Sequence, residues 1–293
     1  MKASSNQPCP PEPVSRRRFS RRRFFKIATQ SAVLLGGLGG YASAEPSWIE
    51  VEEISLRLPR LSPLFDGLRV AQISDIHMDE WMTRERLSSI VELVNAQRPD
   101  AVLITGDFVT AAAEPHAADL TKALKNLRAP GAFVLGNHDH WTNPLVVRRA
   151  ASEAGLRDLT NEVWTMRREN QNLHFCGIDD LWAGQGDLPT VLRKTPPQGA
   201  AILLCHEPDF ADAHADAGRF DLQLSGHSHG GQVRVPFLGA ILLPQYGRKY
   251  QMGRYQVGAM TLYTNRGVGA LPPRLRFNCR PEIAVFTLRA STL

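Results

Sequence analysis

The stretch Gly131-Ala132-Phe133-Val134-Leu135-Gly136-Asn137-His138-Asp139 joins a short apolar run to a polar loop. A brief apolar run that is bounded by glycine is typical of a buried strand. The side chains that follow it carry the oxygen and nitrogen atoms of Asn137, His138 and Asp139. In α/β sheets, ligands bind in the crevice beyond the carboxyl ends of the strands. We therefore predict an α/β fold with a ligand site at this loop.

Four other apolar runs in the chain end in the same way, in side chains with metal-ligand chemistry. They place Asp75 and His77 after a predicted strand at 68–74, Asp107 after 101–105, His206 after 200–205, and His227 with His229 after 220–224. Residues i and i+2 of an extended segment point in the same direction, so each closely spaced pair can hold one ion. Asp, Asn and His are donors that suit hard or borderline divalent cations.

The combination of these segments predicts a site for two cations. The predicted ligands are Asp75, His77, Asp107, Asn137, His206, His227 and His229. This number of donors suits two cations that share one ligand, and the two oxygens of Asp107 allow it to bridge. Taken alone, most of these segments are weak signals, since Asp-x-His pairs occur by chance and a lone His at a strand end is more often structural. Gly-Asn-His-Asp after a strand is considerably more specific. Paired cations with positions open for water are typical of hydrolysis at phosphorus.

Two residues beside Asn137 have a different predicted role. His138 could point towards a substrate instead of a metal. Asp139 could orient the His138 ring and favour its charged form. We therefore predict that His138 and Asp139 act in catalysis.

The remaining periodicity favours alternating strands and helices. Amphipathic helices are predicted at 83–97, 118–127 and 143–154, and further strands at 173–177, 260–264 and 283–288. This alternation predicts buried sheets in one domain over residues 46–293. The segment 231–258 is Gly-rich without clear periodicity, and we expect irregular hairpins there.

The N-terminus differs in composition from the rest of the chain. The formal net charge is +5, but residues 1–44 hold eight Lys or Arg and a single acid, Glu12, so the remaining chain has more acids than bases. The positive net charge of the chain therefore belongs to its N-terminus and gives no reason to expect nucleic-acid binding by the folded domain.

The same segment has the features of an export signal. Ser20-Arg21-Arg22-Arg23-Phe24-Phe25-Lys26 resembles the twin-arginine motif, with Phe25 where Leu is usual. A weakly apolar stretch at 27–40 follows, and Ala42-Ser43-Ala44 offers small residues for cleavage. A retained anchor and a basic arm that binds lipid or nucleic acid are the alternatives. The resemblance implies contact with the twin-arginine translocation machinery and a periplasmic or cell-envelope location.

The cysteines give no sign of a disulfide framework or a zinc ribbon. Cys9 lies in the predicted signal, and the remaining Cys176, Cys205 and Cys279 are odd in number without Cys-x-x-Cys spacing. We expect Cys176 and Cys205 to be buried as small hydrophobic side chains.

The order of the motifs resembles the calcineurin-like metallophosphoesterase superfamily. Asp-x-His, Gly-Asp, Gly-Asn-His-Asp, a lone His and Gly-His-x-His follow one another across residues 50–290. The runs Gly226–Gln232, Arg266-Gly267-Val268-Gly269 and Pro281-Glu282-Ile283 resemble a branch of small bacterial exported phosphodiesterases. The resemblance implies a four-layer α/β/β/α sandwich of two mixed sheets with a dinuclear metal site at the strand-end loops.

The resemblance also implies a role for each predicted site residue. One metal would take Asp75, His77, Asp107 and His229, and the other Asp107, Asn137, His206 and His227. Hydroxide held by the metals would attack phosphorus, and His138, supported by Asp139, would act at the leaving group. The nitrogen and oxygen ligands favour Mn²⁺, with Fe and Zn²⁺ as alternatives.

Several substrates and classes remain open at this stage. The leading expectation is a phosphodiesterase for a small phosphodiester or an envelope phospholipid, which would allow contact with a membrane surface. A pyrophosphohydrolase of a nucleotide-linked lipid precursor, such as UDP-diacylglucosamine, is the alternative, although export argues against a cytoplasmic substrate. A metal-dependent binding protein without turnover is the alternative from outside the enzymes.

Overall fold

Two six-stranded mixed sheets form the centre of the protein, and helices cover the outer face of each sheet. The computed structural model describes residues 36–291, and the compact unit described below begins at Tyr41. The four-layer α/β/β/α sandwich expected from the sequence is therefore confirmed.

The first sheet has the strand order β1-β14-β2-β3-β4-β5. Its strands are β1 (Glu50–Leu58), β2 (Arg69–Ile73), β3 (Ala101–Thr105), β4 (Gly131–Val134), β5 (Arg157–Asp158) and β14 (Glu282–Ala290). Strands β2 to β5 are mutually parallel, while β14 lies antiparallel to β2 and parallel to β1. The carboxyl ends of β2, β3 and β4 therefore meet at one edge.

The second sheet has the order β12-β13-β9-β8-β7-β6. Its strands are β6 (Glu162–Arg168), β7 (Gln171–Gly177), β8 (Ala200–Leu204), β9 (Leu222–Ser225), β12 (Gly253–Val257) and β13 (Met260–Thr264). Strands β7, β8, β9 and β13 are parallel, and the outer strands β6 and β12 pair antiparallel to their neighbours. A separate two-stranded ribbon consists of β10 (Arg234–Val235) and β11 (Gly239–Ala240).

Helices form the two outer layers. They are α1 (Arg84–Ala96), α2 (Ala117–Leu124), α3 (Asn137–Trp141), α4 (Pro144–Glu153), α5 (Leu188–Lys194) and α6 (Ala211–Asp216). Short 3-10 turns lie at Glu45–Ser47, Pro63–Phe65, Pro208–Phe210 and His229–Gly231. The apolar faces of α1, α2 and α4 pack on the first sheet, and α5 with α6 packs on the second. No helix within residues 36–291 is long and apolar enough to cross a bilayer.

The space between the sheets is filled by apolar side chains from both. Val70, Leu103 and Phe286 of the first sheet meet Phe175 and Ile202 of the second, and all five are buried. Strands such as β3 are buried on both faces and therefore read as continuous apolar runs instead of alternating patterns. This core holds the strand ends of the two sheets at fixed positions beside each other.

The structure confirms the strands and helices predicted from the apolar runs, within a few residues at their ends. The sequence analysis missed β1, β6 and β12, in which polar residues interrupt the apolar pattern because these strands are only partly buried. The expected hairpin in 231–258 is confirmed as the β10–β11 ribbon. Cys176 and Cys205 are buried free thiols, as expected. The predicted twin-arginine motif lies outside the described residues.

Candidate metal centre

The seven predicted ligands lie at the ends of five strands, where the backbone turns sharply. Asp75, His77, Asp107, His227 and His229 all adopt positive φ angles, between 50° and 70°. Non-glycine residues rarely occupy this left-handed region, and when they do the strain is held in place by surrounding contacts. The loops therefore present these side chains in a conformation that the fold imposes.

The first group of donors combines two loops from opposite sheets. The Asp75 Oδ1 atom lies 3.3 Å from His229 Nε2, and His229 Nε2 lies 3.0 Å from His77 Nε2. The ligand atoms of these three residues all lie within 4.8 Å of one another. All three side chains are buried. The geometry therefore allows the three donors to contact one cation.

The second group lies on the other side of Asp107. His206 Nε2 is 3.2 Å from Asp107 Oδ2 and 3.2 Å from His227 Nδ1. Asp107, His206 and His227 likewise present ligand atoms within 4.8 Å of one another. Because His77 Nε2 lies 3.6 Å from the same Oδ2 atom, Asp107 adjoins both groups. Asp107 therefore lies between the two groups of donors.

Backbone carbonyls determine which nitrogen of each imidazole is available. The Nδ1–H of His206 donates to the Thr105 carbonyl at 2.7 Å, which leaves Nε2 as the acceptor nitrogen. The Nε2–H of His227 donates to the Gln245 carbonyl at 2.7 Å, which leaves Nδ1. Hydrogen bonds of this kind fix the tautomer and ring orientation of metal-binding histidines. The two free nitrogens are those that face each other.

The protonation states also suit cation binding. Burial lowers the pKa of His77 and of His227 to about 3. Burial would raise the pKa of Asp107, but the neighbouring His206 and its hydrogen bond hold that pKa well below the ordinary value. Neutral imidazole and ionised carboxylate are the forms in which these groups bind metals. Burial would lower the pKa of His206, but the Asp107 carboxylate raises that pKa well above the ordinary value. Binding of a cation by His206 would therefore release the proton that this imidazole otherwise holds beside Asp107.

Asn137 supplies an observation that fits a second cation. Its side chain is buried and lines the same cleft as Asp107, yet its Oδ1 atom has no hydrogen-bond partner among the described residues. Buried polar atoms in folded proteins almost always have a partner. A cation held by Asp107, Asn137, His206 and His227 would satisfy this atom. The nitrogen and oxygen donors present therefore fit two divalent cations.

Glycine at position 136 is required by the closeness of these loops. A Cβ atom there would lie 2.8 Å from both the Asp107 amide nitrogen and the His206 Nε2 atom and would collide with the Asp107 carboxylate. Gly106 is similarly confined, with φ of 90° and 2.7 Å between an added Cβ and His206 Nδ1. Two strand ends can approach this closely only if neither has a side chain at these positions.

His138 lies beside the donor groups, with its ring edge against His77 at a centroid distance of 4.8 Å. Its Nδ1–H donates to the Thr110 carbonyl at 2.7 Å, so Nε2 is the nitrogen left for other partners. The backbone N–H of His138 donates to Asp107 Oδ1 at 2.9 Å. The ring also lines the cleft, as predicted for a residue that faces a substrate.

The prediction that Asp139 orients the His138 ring is wrong. The Asp139 carboxylate turns away and accepts hydrogen bonds from the backbone N–H groups of Phe108 and Gly136, at 2.8 and 3.0 Å. Asp139 occupies the first turn of α3, where its carboxylate reaches back to the N-terminal end of the helix. The Thr110 carbonyl takes the orienting role instead. Asp139 thus ties the Asp107 and Asn137 loops together.

Other residues near the motifs have separate roles. His140 pairs with Asp179 at 2.8 Å, and Asp79 forms an ion pair with Arg274 at 2.8 Å. Arg266 pairs with Glu282 at 2.6 Å and with two further glutamates. His174 and His214 are buried with hydrogen-bond partners of their own and lie outside the donor groups.

Sequence reasoning missed the supports of the site that are backbone atoms or distant in sequence. The fully buried guanidinium of Arg276 donates to the carbonyls of Arg266, Gly267 and Gly269, at 2.6 to 3.2 Å. This loop lies directly against Asp75. The run Arg266–Gly269 was a visible signal for the loop, but nothing in the sequence linked Arg276 to it.

A cleft of about 650 Å³ opens from the donor groups to the surface. Asp107, Asn137 and His138 lie at its base. Its walls are largely apolar and aromatic, and they include Trp141, Trp182, Val233, Ile241, Leu242, Leu243, Leu271, Pro272, Pro273 and Leu275. A small number of polar groups in an apolar cleft is the usual form of a small-molecule site.

Comparison with known proteins identifies relatives over nearly the whole chain. Residues 68–231 match the family model described as calcineurin-like phosphoesterase. The chain is 34% identical to an uncharacterized metallophosphoesterase of Bacillus subtilis, YkuE, covering 95% of this chain and 99% of the relative. It is 31% identical to the Escherichia coli phosphodiesterase YaeI, over 92% and 99% of the two chains.

A relative with lower identity is named for a different activity. The UDP-2,3-diacylglucosamine pyrophosphatase LpxG of Chlamydia muridarum is 27% identical, over 82% of this chain and 89% of the relative.

Replacement of Asp139 by Asn tests its role in holding the loops. The Asn side chain has one oxygen, so its NH₂ group would face one of the two backbone N–H donors that the carboxylate now accepts from. We therefore expect a loss of about 1–3 kcal/mol in the free energy of unfolding. Urea denaturation measures this loss, with Asp66→Asn at an exposed ion pair as the control. An unchanged stability together with an altered pH profile of the His138-dependent rate would contradict this assignment.

Proposed function

The chain belongs to the calcineurin-like phosphoesterase family, and from that membership we propose that it is a phosphodiesterase acting on a small phosphodiester or an envelope phospholipid. Metal-dependent phosphoester hydrolysis is the activity of such a domain. The observation that carries the proposal is that the two donor groups meet at one side chain, the buried carboxylate of Asp107. The similarity to a phosphodiesterase over nearly the full length supports the finer assignment.

The ligands divide into two sets that share Asp107. We assign Asp75, His77, Asp107 and His229 to one cation, and Asp107, Asn137, His206 and His227 to the other. When bound, such cations act as Lewis acids and lower the pKa of a coordinated water towards neutrality. Mn²⁺ is our first choice, with Fe and Zn²⁺ as alternatives, because every ligand is a nitrogen or oxygen donor.

We assign His138 the role of proton donor to the leaving group. Since Nδ1–H is held by the Thr110 carbonyl, a second proton can reside only on Nε2. From that atom the imidazolium would donate to the oxygen that departs from phosphorus, as a general acid. Asp139 acts through the loops and not on this ring, so we assign it as a positioning residue.

The cleft favours a substrate with an apolar part beside its phosphate. The rings of Trp141 and Trp182 lie 4.9 Å apart and line the cleft beside His138 and His227, where they would contact the organic groups of a diester. A pyrophosphohydrolase of a nucleotide-linked lipid is the second candidate, and the similarity to LpxG favours it. Comparing bis(p-nitrophenyl) phosphate with a UDP-linked lipid as substrates would separate the two. A binding protein without turnover would hydrolyse neither.

We further propose that residues 1–44 direct export by the twin-arginine route and remain as a membrane anchor of the domain 46–293. Residues on both sides of the predicted cleavage bond after Ala44 form hydrogen bonds with the folded domain. The Arg276 N–H donates to the Ala42 carbonyl at 3.0 Å, and the buried Glu45 carboxylate accepts from Asn278 N–H at 3.0 Å. A bond held in this way is a poor protease site, since cleavage requires accessible and flexible chain.

Replacement of Asp107 by Ala should remove both cations, because neither set is complete without it. We expect metal content near zero and loss of hydrolysis of bis(p-nitrophenyl) phosphate, measured after loading with Mn²⁺ and gel filtration. Asp66→Ala, at an exposed carboxylate, is the control for general effects on folding. Activity near that of the unmodified chain in metal-depleted Asp107→Ala protein would end the proposal.

Replacement of His138 by Ala should lower kcat by about 10²–10⁴-fold while both cations are retained. The loss should be smaller for p-nitrophenolate than for an alkoxide leaving group, because nitrophenolate departs without a proton. Steady-state kinetics with both substrates, together with metal analysis, provides the measurement. An equal loss with both leaving groups would remove the assigned role.

Changing Arg21 and Arg22 of the export motif to Lys tests the localisation. The unmodified chain should fractionate with the cell envelope at its full mass of 32.5 kDa, and the Lys variant should remain in the cytoplasm. Intact mass spectrometry of the envelope fraction reads out retention. A protein that begins at Glu45 would show that the segment is cleaved, and equal export of both proteins would contradict the twin-arginine assignment.

A further inference from the structure

A surface beside the cleft carries four exposed large apolar side chains within six residues. Phe237 is fully exposed at 108%, and Leu238, Ile241 and Leu242 are exposed by 83%, 67% and 79%. We call these four side chains the apolar tip. Single exposed apolar residues are common on soluble proteins, whereas a contiguous group marks an interaction site.

The fold holds the apolar tip outward by backbone hydrogen bonds. The tip follows and includes the turn of the β10–β11 ribbon, in which the Leu238 N–H donates to the Val235 carbonyl at 3.1 Å. The Arg234 N–H donates to the Phe277 carbonyl at 2.9 Å and fixes the base of the ribbon. Phe237 has a φ of 70°, which is unfavourable for an aromatic residue. Backbone strain combined with full exposure indicates a function for this ring.

The apolar tip is continuous with the proposed active site. Ile241 and Leu242 belong both to the tip and to the wall of the cleft that contains Asn137 and His138. Whatever covers the tip therefore lies at the entrance through which a substrate reaches the metal ligands.

We propose that the apolar tip inserts into the interface of a lipid membrane, so that the cleft opens towards the headgroups. The run 235–247 contains no charged residue and is bounded by Arg234 and Arg248. Arg248 is exposed and lines the cleft. Apolar side chains flanked by basic ones match an anionic bilayer, in which the acyl region takes the former and the phosphates the latter.

Aromatic residues extend the same face. The Phe277 ring, at the base of the ribbon, lies 5.6 Å from Tyr41, which lies 5.2 Å from Trp48. Tyr41 and Trp48 are partly exposed, at 38% and 41%. Tyr and Trp are enriched at membrane–water interfaces because their rings are amphipathic.

This inference rests on the proposed function only for the role of the cleft, because binding to lipid can be measured without hydrolysis. If both hold, the substrate is an amphiphilic phosphodiester that is taken from the membrane surface. Its phosphate would reach the donor groups while its apolar part lies along Ile241 and Leu242.

The test compares three proteins, each prepared as residues 41–293, in flotation with vesicles of phosphatidylcholine, with and without phosphatidylglycerol. They are the unmodified chain, Phe237→Ser/Leu238→Ser, and the matched control Leu64→Ser/Leu93→Ser, whose side chains are exposed by 38% and 40% elsewhere on the domain. Residues 1–40 are left out because a retained anchor would hold all three proteins on the vesicles and hide the contribution of the apolar tip, and the compact unit begins at Tyr41.

We expect the tip variant to partition at least about tenfold more weakly than the other two proteins, since each apolar group that enters the interface adds to binding. Phosphatidylglycerol should strengthen binding of the unmodified chain at low ionic strength. Equal partitioning of all three proteins would overturn the proposal. Unchanged vesicle binding combined with loss of a dimer in the tip variant would also overturn it and would assign the tip to a second copy of the chain.

Hydrolysis of soluble bis(p-nitrophenyl) phosphate separates this proposal from the function. Phe237 and Leu238 do not line the cleft, so the rate should be the same in all three proteins. Equal rates with weakened vesicle binding would support both proposals. Weakened vesicle binding by the tip variant, with no hydrolysis by any of the three proteins, would support membrane binding through the apolar tip and contradict the proposed phosphodiesterase activity.

Discussion

The buried carboxylate of Asp107 brings the strand-end loops of the two sheets together. It lies 3.2 Å from His206, 3.6 Å from His77, and accepts the backbone N–H of His138 at 2.9 Å. These contacts join loops of the first sheet to a loop of the second. A carboxylate removed from water is costly unless opposite charge accompanies it. Divalent cations would supply that charge, so the site is completed by metal.

The loops around Asp107 approach one another closely, and their backbone conformation is restricted as a result. Five ligands take positive φ angles, and Gly136 leaves space that a Cβ would fill. Carbonyls of Thr105, Thr110 and Gln245 hold three imidazoles in fixed orientations. Such pre-organisation favours catalysis because the groups need not rearrange when charge develops at phosphorus. The inter-sheet core provides the rigid support on which it depends.

Much of this architecture is readable from the sequence because strands buried on both faces appear as uninterrupted apolar runs. The polar residues that follow β2, β3 and β4 therefore mark one edge of a sheet, and they converge as predicted. Edge strands such as β1 alternate irregularly and were missed for that reason. The orientation of Asp139 was predicted wrongly, since a side chain next to a ring in sequence can still turn towards backbone amides. Arg276 contacts carbonyls, which leave no pattern in a sequence.

Anomalous diffraction from crystals of the Mn²⁺-loaded protein would locate the cations relative to Asp107. We expect two peaks per chain, both in contact with the Asp107 carboxylate, with Asp75, His77 and His229 around one and Asn137, His206 and His227 around the other. A single peak, or a second peak that does not touch Asp107, would contradict this expectation.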